Sequence, residues 1–365
     1  MWAAKWWHEF MISLQIIWGW QRIPRSRPLP EIHTAVRYYV HRVAGSLSRL
    51  PAGRARKHLL ALADIVARDG WPSVAAEVVR QHSSIVLREH EAYFRWRCGD
   101  IEGAYRIIAE SLSLSHTVPQ WAILLITSSL LQRRGECHLL DNGQSLLPPH
   151  ICRFITQAKR SLEDLGQQRN ALDLLDASRQ CPTDMRQWAA EVVMRYGHIN
   201  LVSPDDLSQE GAALWYLLNG KLSRSRQIAR QALTNDMSRA SPRLVLASLY
   251  MPDRPNKARS VSEYLLFPEL THGFVSSERD VAKKLAKVIW EDGSPSYLDK
   301  EIDGAVQICM WQHDVGLLHL IAHIAWYAKR SFWSEYILNL FDEWGVVEYP
   351  MLRSWRISGK PITLC

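Results

Sequence analysis

Apolar positions recur at three- and four-residue steps through most of this chain. That is the spacing of one helix face, not the alternation of a half-buried strand. Residues 95–115, RWRCGDIEGAYRIIAESLSLS, carry the pattern on both sides of an interruption. Upstream, HSSIVLREHEAYFRWRC has helical spacing. Downstream, Ile101, Ala104, Tyr105, Ile108 and Leu112 repeat it. Between them Gly99 can take the positive φ that ends a helix, and Asp100 can cap the next one. Gly103 stands where a full capping box would carry Glu or Gln. Small Ala104 lets the second helix approach the first, so the segment reads as an αα-hairpin.

The same grammar returns along the chain. Turns are predicted at Gly70, with Ala75 five residues on; at Gly166, with Ala171; at Gly220, with Ser225; and near Asp253, with Ala258. Weaker copies occur near Gly135, Gly293 and Arg330. The long interval between Gly166 and Gly220 contains QWAAEVVMRYGHINLVSPDD and predicts an extra or atypical helix. Turn signals of the Asn-Gly kind are sparse and unevenly spaced, which argues against an all-β sandwich.

A turn glycine, a small residue five on, an apolar residue four later and then a small residue, at a period near 34, resembles the tetratricopeptide repeat. Gly99, Ala104, Ile108, Ser111 and Leu112 stand at the family's positions. The first-helix Trp-Leu-Gly-Tyr signature is largely missing, and His116 replaces the closing proline. The fold expected is therefore all-α: an αα-hairpin repeat solenoid, a TPR-like superhelix, preceded by an amphipathic helix. The repeats are recognisable over about residues 50–345. The domains expected are 1–30, a Trp-rich helix and basic linker; 31–240, the solenoid; and 241–365, further hairpins continuous with it. An irregular helical bundle shares many of these signals.

The resemblance implies a groove lined by first helices in which a protein partner's peptide or helix lies. Arg68, Glu89, Tyr93, Trp96, Arg97, Arg133, Arg153 and Arg160 map to groove-facing positions. Arginine forks pair with carboxylates and aromatic rings supply flat contact area, so an acidic or aromatic partner segment suits them. The mapped positions Leu207, Leu214, Leu217 and Leu218 are apolar, and either closure of the superhelix or a docked helix would explain them.

The first 21 residues, MWAAKWWHEFMISLQIIWGWQ, change the picture at one end. Charges interrupt the run too early for a spanning helix, which needs about 20 apolar residues. Wound as a helix, Trp6, Trp7, Phe10 and Trp18 fall opposite Lys5, His8 and Glu9. Together with Trp2 and Trp20, and with Arg22, Arg25 and Arg27 in RIPRSRPLP, they predict a two-signal peripheral anchor on a membrane. Residues 1–60 hold ten basic and two acidic residues, and the remainder holds 34 and 35. The excess of +8 thus sits at the N-terminal end, and the count gives no reason for a nucleic-acid face on the body. The six cysteines form no C-x-x-C pair and predict reduced thiols in a reducing, cytoplasmic setting.

Chemistry is sparsely signalled. His319 and His323 lie four apart, as two metal ligands on one helix would. Leu320, however, replaces the glutamate a metalloprotease needs after its first histidine. G-x-S-x-G, phosphate-loop and dinucleotide motifs are absent from the sequence. The aromatics Trp326, Tyr327, Phe332, Trp333, Tyr336, Phe341 and Trp344 fall at helical steps and predict the core of a terminal hairpin. The function expected is a non-catalytic, membrane-associated adaptor that binds a protein partner, without a cofactor. In layout it resembles the repeat scaffolds of bacterial envelope polysaccharide assembly. The alternatives are a helical enzyme or enzyme subunit with a metal at His319 and His323, and a nucleic-acid binder using the basic N-terminal 60 residues.

Overall fold

The computed structural model describes residues 29–69, 71–84, 88–97, 103, 104, 106, 107, 148–163, 167–267, 271, 276–290, 295–346, 349–361 and 363. Among these residues the chain is wholly helical apart from turns, short 3-10 segments and one isolated bridge position.

Four helices form an N-terminal group: α1 Leu29–Leu47, α2 Ala52–Arg68, α3 Pro72–Gln81 and α4 Arg88–Arg97. Three follow: α5 Pro149–Glu163, α6 Gln168–Ser178 and α7 Thr183–Arg195. Nine more complete the body: α8 Gln209–Leu218, α9 Leu222–Asn235, α10 Ala240–Tyr250, α11 Pro255–Ser262, α12 Ser276–Trp290, α13 Pro295–Gln312, α14 Val315–Tyr327, α15 Ser331–Glu343 and α16 Pro350–Ser358. α7 and the 3-10 turns Ile199–Leu201 and Pro204–Asp206 occupy part of the long interval between the turns predicted at 166 and 220.

Helices pack in neighbouring pairs: α2 with α3, α5 with α6, α8 with α9, α10 with α11, α12 with α13 and α14 with α15. The small residue after each turn is what permits this. Ala75, Ala104, Ala171, Ser225 and Ala258 are all fully buried. A larger side chain at any of them would push two helix axes apart. Two hairpins share a further detail. Ser225 Oγ donates to the Ala213 carbonyl at 2.7 Å, and Ser334 Oγ donates to the Ala322 carbonyl at 2.7 Å. Each bond crosses its hairpin to the carbonyl twelve residues earlier.

Helix ends explain the turns. At α8 the Lys221 N–H reaches back to the Tyr216 carbonyl, and Gly220 takes φ 71°. This is the Schellman closure that glycine favours. α14 ends the same way, with Arg330 N–H on the Ala325 carbonyl, but Lys329 occupies the left-handed position. α13 does so with His313 at φ 56°. The strain there is offset by stacking: the His313 ring stacks with Trp344, at 3.9 Å, and with Tyr196, at 5.6 Å.

The first helices of successive pairs touch in order, α8 to α10, α10 to α12 and α12 to α14. α14 also meets α7, α8 and α10. α10 is buried along its whole length, and α14 from Val315 to Ala325. A helix that is apolar all round belongs in a core, where each fully buried Leu or Ile contributes roughly 1.5–3 kcal/mol. Leu207, Leu214, Leu217 and Leu218 are buried here, and the partner that covers Leu214 is α14. A Cβ on Gly316 would stand 2.9 Å from Leu214 Cδ2, so the Leu214 side chain packs directly on the α14 backbone at this glycine.

The N-terminal group has its own core. Ile32, Val36, Val40, Ala44 and Leu47 form a stripe on α1 that packs with Leu59, Leu62 and Val66 of α2, Val74 and Val78 of α3, and Phe94. It joins the rest through Tyr264 and Phe267. Trp71 and Tyr264 lie 6.3 Å apart, and the Met237 N–H donates to the Arg68 carbonyl at 2.9 Å. Arg243 fixes this junction. Its guanidinium lies 4.2 Å from the Tyr264 ring centroid and donates to the carbonyls of Met237 and Val261. Burial lowers its pKa to about 10.

Of the C-terminal aromatics, Phe341 is fully buried, and Trp326, Trp333, Tyr336 and Trp344 pack against the core. Phe332 instead faces solvent. Among the described residues Cys152, Cys181 and Cys309 are free thiols, and no helix is long and apolar enough to cross a membrane.

Candidate functional site

The sequence-predicted groove residues fall into three groups. Arg153 and Arg160 are exposed on α5, seven residues apart with exposed Thr156 between them, and so occupy one face. Arg153 also lines an open cleft of about 260 Å³ with His150, Asp176, Arg179 and Gln180, where α5 begins and α6 ends. Arg179 pairs with Asp176 there at 2.9 Å. Arg68 is exposed at the end of α2 and pairs with Asp64 at 2.9 Å. Tyr93 and Trp96 are half-buried on α4, with ring centroids 6.2 Å apart. Glu89 and Arg97 lie on α4 by backbone. Arg133 lies outside the described residues, as do Trp2, Trp6, Trp7, Phe10, Trp18, Trp20, Arg22, Arg25 and Arg27.

His319 and His323 do share one face of α14, as their spacing requires. Both are buried, and aromatic rings surround them. His319 Nδ1 lies 2.7 Å from the Tyr349 hydroxyl, and the Trp355 ring stands edge-on to both imidazoles at 5.8 and 6.2 Å. Burial first, and His323 second, lower the His319 pKa to about 3, so the ring stays neutral. The described residues contain no group of three His, Cys, Asp or Glu placed to hold a metal ion. The arrangement secures α16 onto α14.

The largest concentration of charge was not predicted. Arg195, at the end of α7, donates from Nη2 and Nε to Glu191 Oε1 at 3.0 and 3.3 Å, and from Nη1 to Asp314 Oδ2 at 3.0 Å. Glu278 of α12 lies 3.4 Å from Nη2. All four side chains are buried. Glu191 Oε2 accepts from Ser208 Oγ at 3.0 Å, and Ser208 caps α8 by accepting from the Gly211 N–H. Asp314 caps α14 by accepting from the Leu317 N–H at 2.8 Å. Nearby, Arg239 links Asp236 and Glu210.

One guanidinium thus gathers α7, α12 and the N-terminus of α14, and Glu191 extends the link to α8. Burial raises the Glu191 pKa to about 7, against the pull of Arg195. The Cys309 thiol is pushed up by the same desolvation. The sequence did hold a signal. AAEVVMR places Glu191 and Arg195 four apart within a run whose other residues are apolar, where a solvated face has no room. Compared with models of known protein families, with curated proteins and with solved structures, the chain has no match.

Proposed function

We propose that the chain is a helical-repeat adaptor, a TPR-like solenoid that binds a protein partner and is held on a membrane by an amphipathic N-terminal helix. The observation that carries the reading is the recurrence of one hairpin design. Ser225 and Ser334 make the same cross-hairpin hydrogen bond, and the first helices α8, α10, α12 and α14 succeed one another in contact. α14 closes over the first helices α8 and α10, so in this reading the partner lies on the outer helix faces of the stacked units, which suit a macromolecule better than a small substrate.

The exposed arginines Arg153 and Arg160 on α5, beside the cleft with His150 and Arg179, are the partner-binding residues in this reading. Their ligand is an acidic segment, because a guanidinium fork pairs with a carboxylate. The charge-rich centre at Arg195 is buried and serves to hold helices together.

Replacing Arg153 and Arg160 by Glu in the full-length protein tests this. Co-purification from native membranes is expected to lose a stoichiometric partner that the wild-type protein retains, while the helical circular-dichroism signal stays unchanged. Retention of the same partner by the variant would overturn the reading.

A further inference from the structure

Residues 219–262, which contain α9, α10 and α11, carry nine basic residues against Asp236 and Asp253. This stretch therefore holds a surplus of +7, which acidic segments elsewhere in residues 61–365 cancel to a balance of −1. Three of the nine are engaged within the fold: Arg239, half-buried, is paired with Asp236 and Glu210, Arg243 is buried at the junction of the two cores, and Arg259 donates to the Ile289 carbonyl. Lys221, Arg224, Arg226, Arg230, Arg254 and Lys257 form no ion pair among the described residues. Elsewhere on the molecule cations such as Arg37, Arg68, Lys284 and Lys287 have carboxylate partners.

Four of these six cations are held by rings in place of carboxylates. Lys221 lies 5.4 Å from the Trp215 ring centroid and 6.0 Å from that of Tyr216, which Arg224 approaches at 5.9 Å. Arg230 and Lys257 converge on Tyr250 from two different helices, at 6.0 and 4.8 Å. Arg230 also donates to the Tyr250 hydroxyl at 2.6 Å. A ring steadies a cation without neutralising it, so the charge remains available. α9 and α11 are the second helices of their hairpins, packed on α8, α10 and α12. Arg224 and Arg230 on α9, Lys257 on α11 and Arg254 just before it are exposed.

The geometry points to this outer face of α9 and α11 as a docking surface for an anionic lipid bilayer. The cations are long, spread over two helices, and not converged on a single cradle. A fluid array of headgroups needs that distribution, whereas one bound carboxylate or phosphate would need a fork aimed at a point. The assignment rests on the membrane-associated reading above, and adds a second contact far in sequence from the N-terminal segment.

The test uses the full chain and flotation with vesicles of phosphatidylcholine alone or with phosphatidylserine added. Wild-type protein is expected to bind more tightly when phosphatidylserine is present, and high salt is expected to remove that increment. Changing Arg224, Arg254 and Lys257 together to Glu should weaken binding to the serine-containing vesicles more than about a hundredfold, since each basic residue lost near such a surface accounts for about fivefold and each new carboxylate is repelled. Binding to phosphatidylcholine should not change. These three side chains are exposed, and the same positions changed to Gln give an intermediate loss without reversing charge. Circular dichroism and thermal unfolding confirm that both variants fold.

A triple Glu variant that binds serine-containing vesicles like the wild type would overturn the basic face and leave the anchor standing. Changing Trp6, Trp7 and Trp18 to Ser should instead weaken binding to both kinds of vesicle. Wild-type protein that ignores both kinds would sink the membrane reading itself. Capture of an acidic polypeptide through these cations, with no vesicle binding, would assign the face to a protein ligand and overturn the proposal.

Discussion

Arg195 is a charge in the position of a core residue, and its surroundings account for that. Its side chain is 3% exposed, yet three carboxylates from α7, α12 and the start of α14 meet it. Replacing Arg195 by Met would keep much of the volume and remove the cation. Glu191, Glu278 and Asp314 would then be buried together without it. Loss of one partner from a buried ionic group costs about 3–5 kcal/mol. The variant is expected to unfold at a correspondingly lower urea concentration with an unchanged slope. A midpoint within error of the wild type would mean that water reaches the cluster. The apolar run around 191 and 195 hinted that the pair is buried, but not what else meets it. The partners that reveal its place, Glu278 and Asp314, arrive only once α12 and α14 have packed. Small residues were more legible. Ala75, Ala171, Ser225 and Ala258 were found by spacing alone, because close helix approach leaves few other residue types possible.

At the scale of elements, the turns show which signals a sequence carries openly. The turn at Gly220 was predicted and lies between α8 and α9. The closure at His313 gave no signal, since the left-handed residue there is not glycine and its support comes from Trp344 and Tyr196. The docking of α14 on α8 was likewise open in the sequence, where apolar leucines on α8 admitted two explanations. The Gly316 contact with Leu214 is what resolves it, and it yields a paired prediction. Gly316→Ala would drive a methyl into Leu214 and should cost about 1–3 kcal/mol through overpacking. Gly45 lies inside α1, where an added Cβ would meet nothing within 4 Å. Gly45→Ala should therefore stabilise by about 0.5–1 kcal/mol through helix propensity alone. Thermal unfolding of the two variants should move in opposite directions. Equal and opposite shifts are not required, but a stabilised Gly316→Ala would mean that α14 does not lie against α8 as described.

For the whole molecule the question is how two cores behave as one. Among the described residues, the N-terminal core, built on α1, α2 and α3, touches the remainder through Trp71 against Tyr264, Phe267, and the Met237 N–H on the Arg68 carbonyl. Arg243 stiffens the far side of that contact by holding Met237 and Val261 while lying on the Tyr264 ring. Trp71 occupies the turn between α2 and α3 and is 3% exposed, so it serves its own core and the junction together. Removing its ring should cost about 3–5 kcal/mol as a cavity. That loss should be local, because the Arg195 cluster and the α10 and α14 packing lie wholly within the other core. Native-state hydrogen exchange on Trp71→Ala is therefore expected to accelerate across α1, α2 and α3 and leave α8, α10 and α14 protected as before. If protection fell by the same factor in both regions, the two cores would unfold as a single cooperative unit. The described junction at Tyr264 would then belong to one continuous interior.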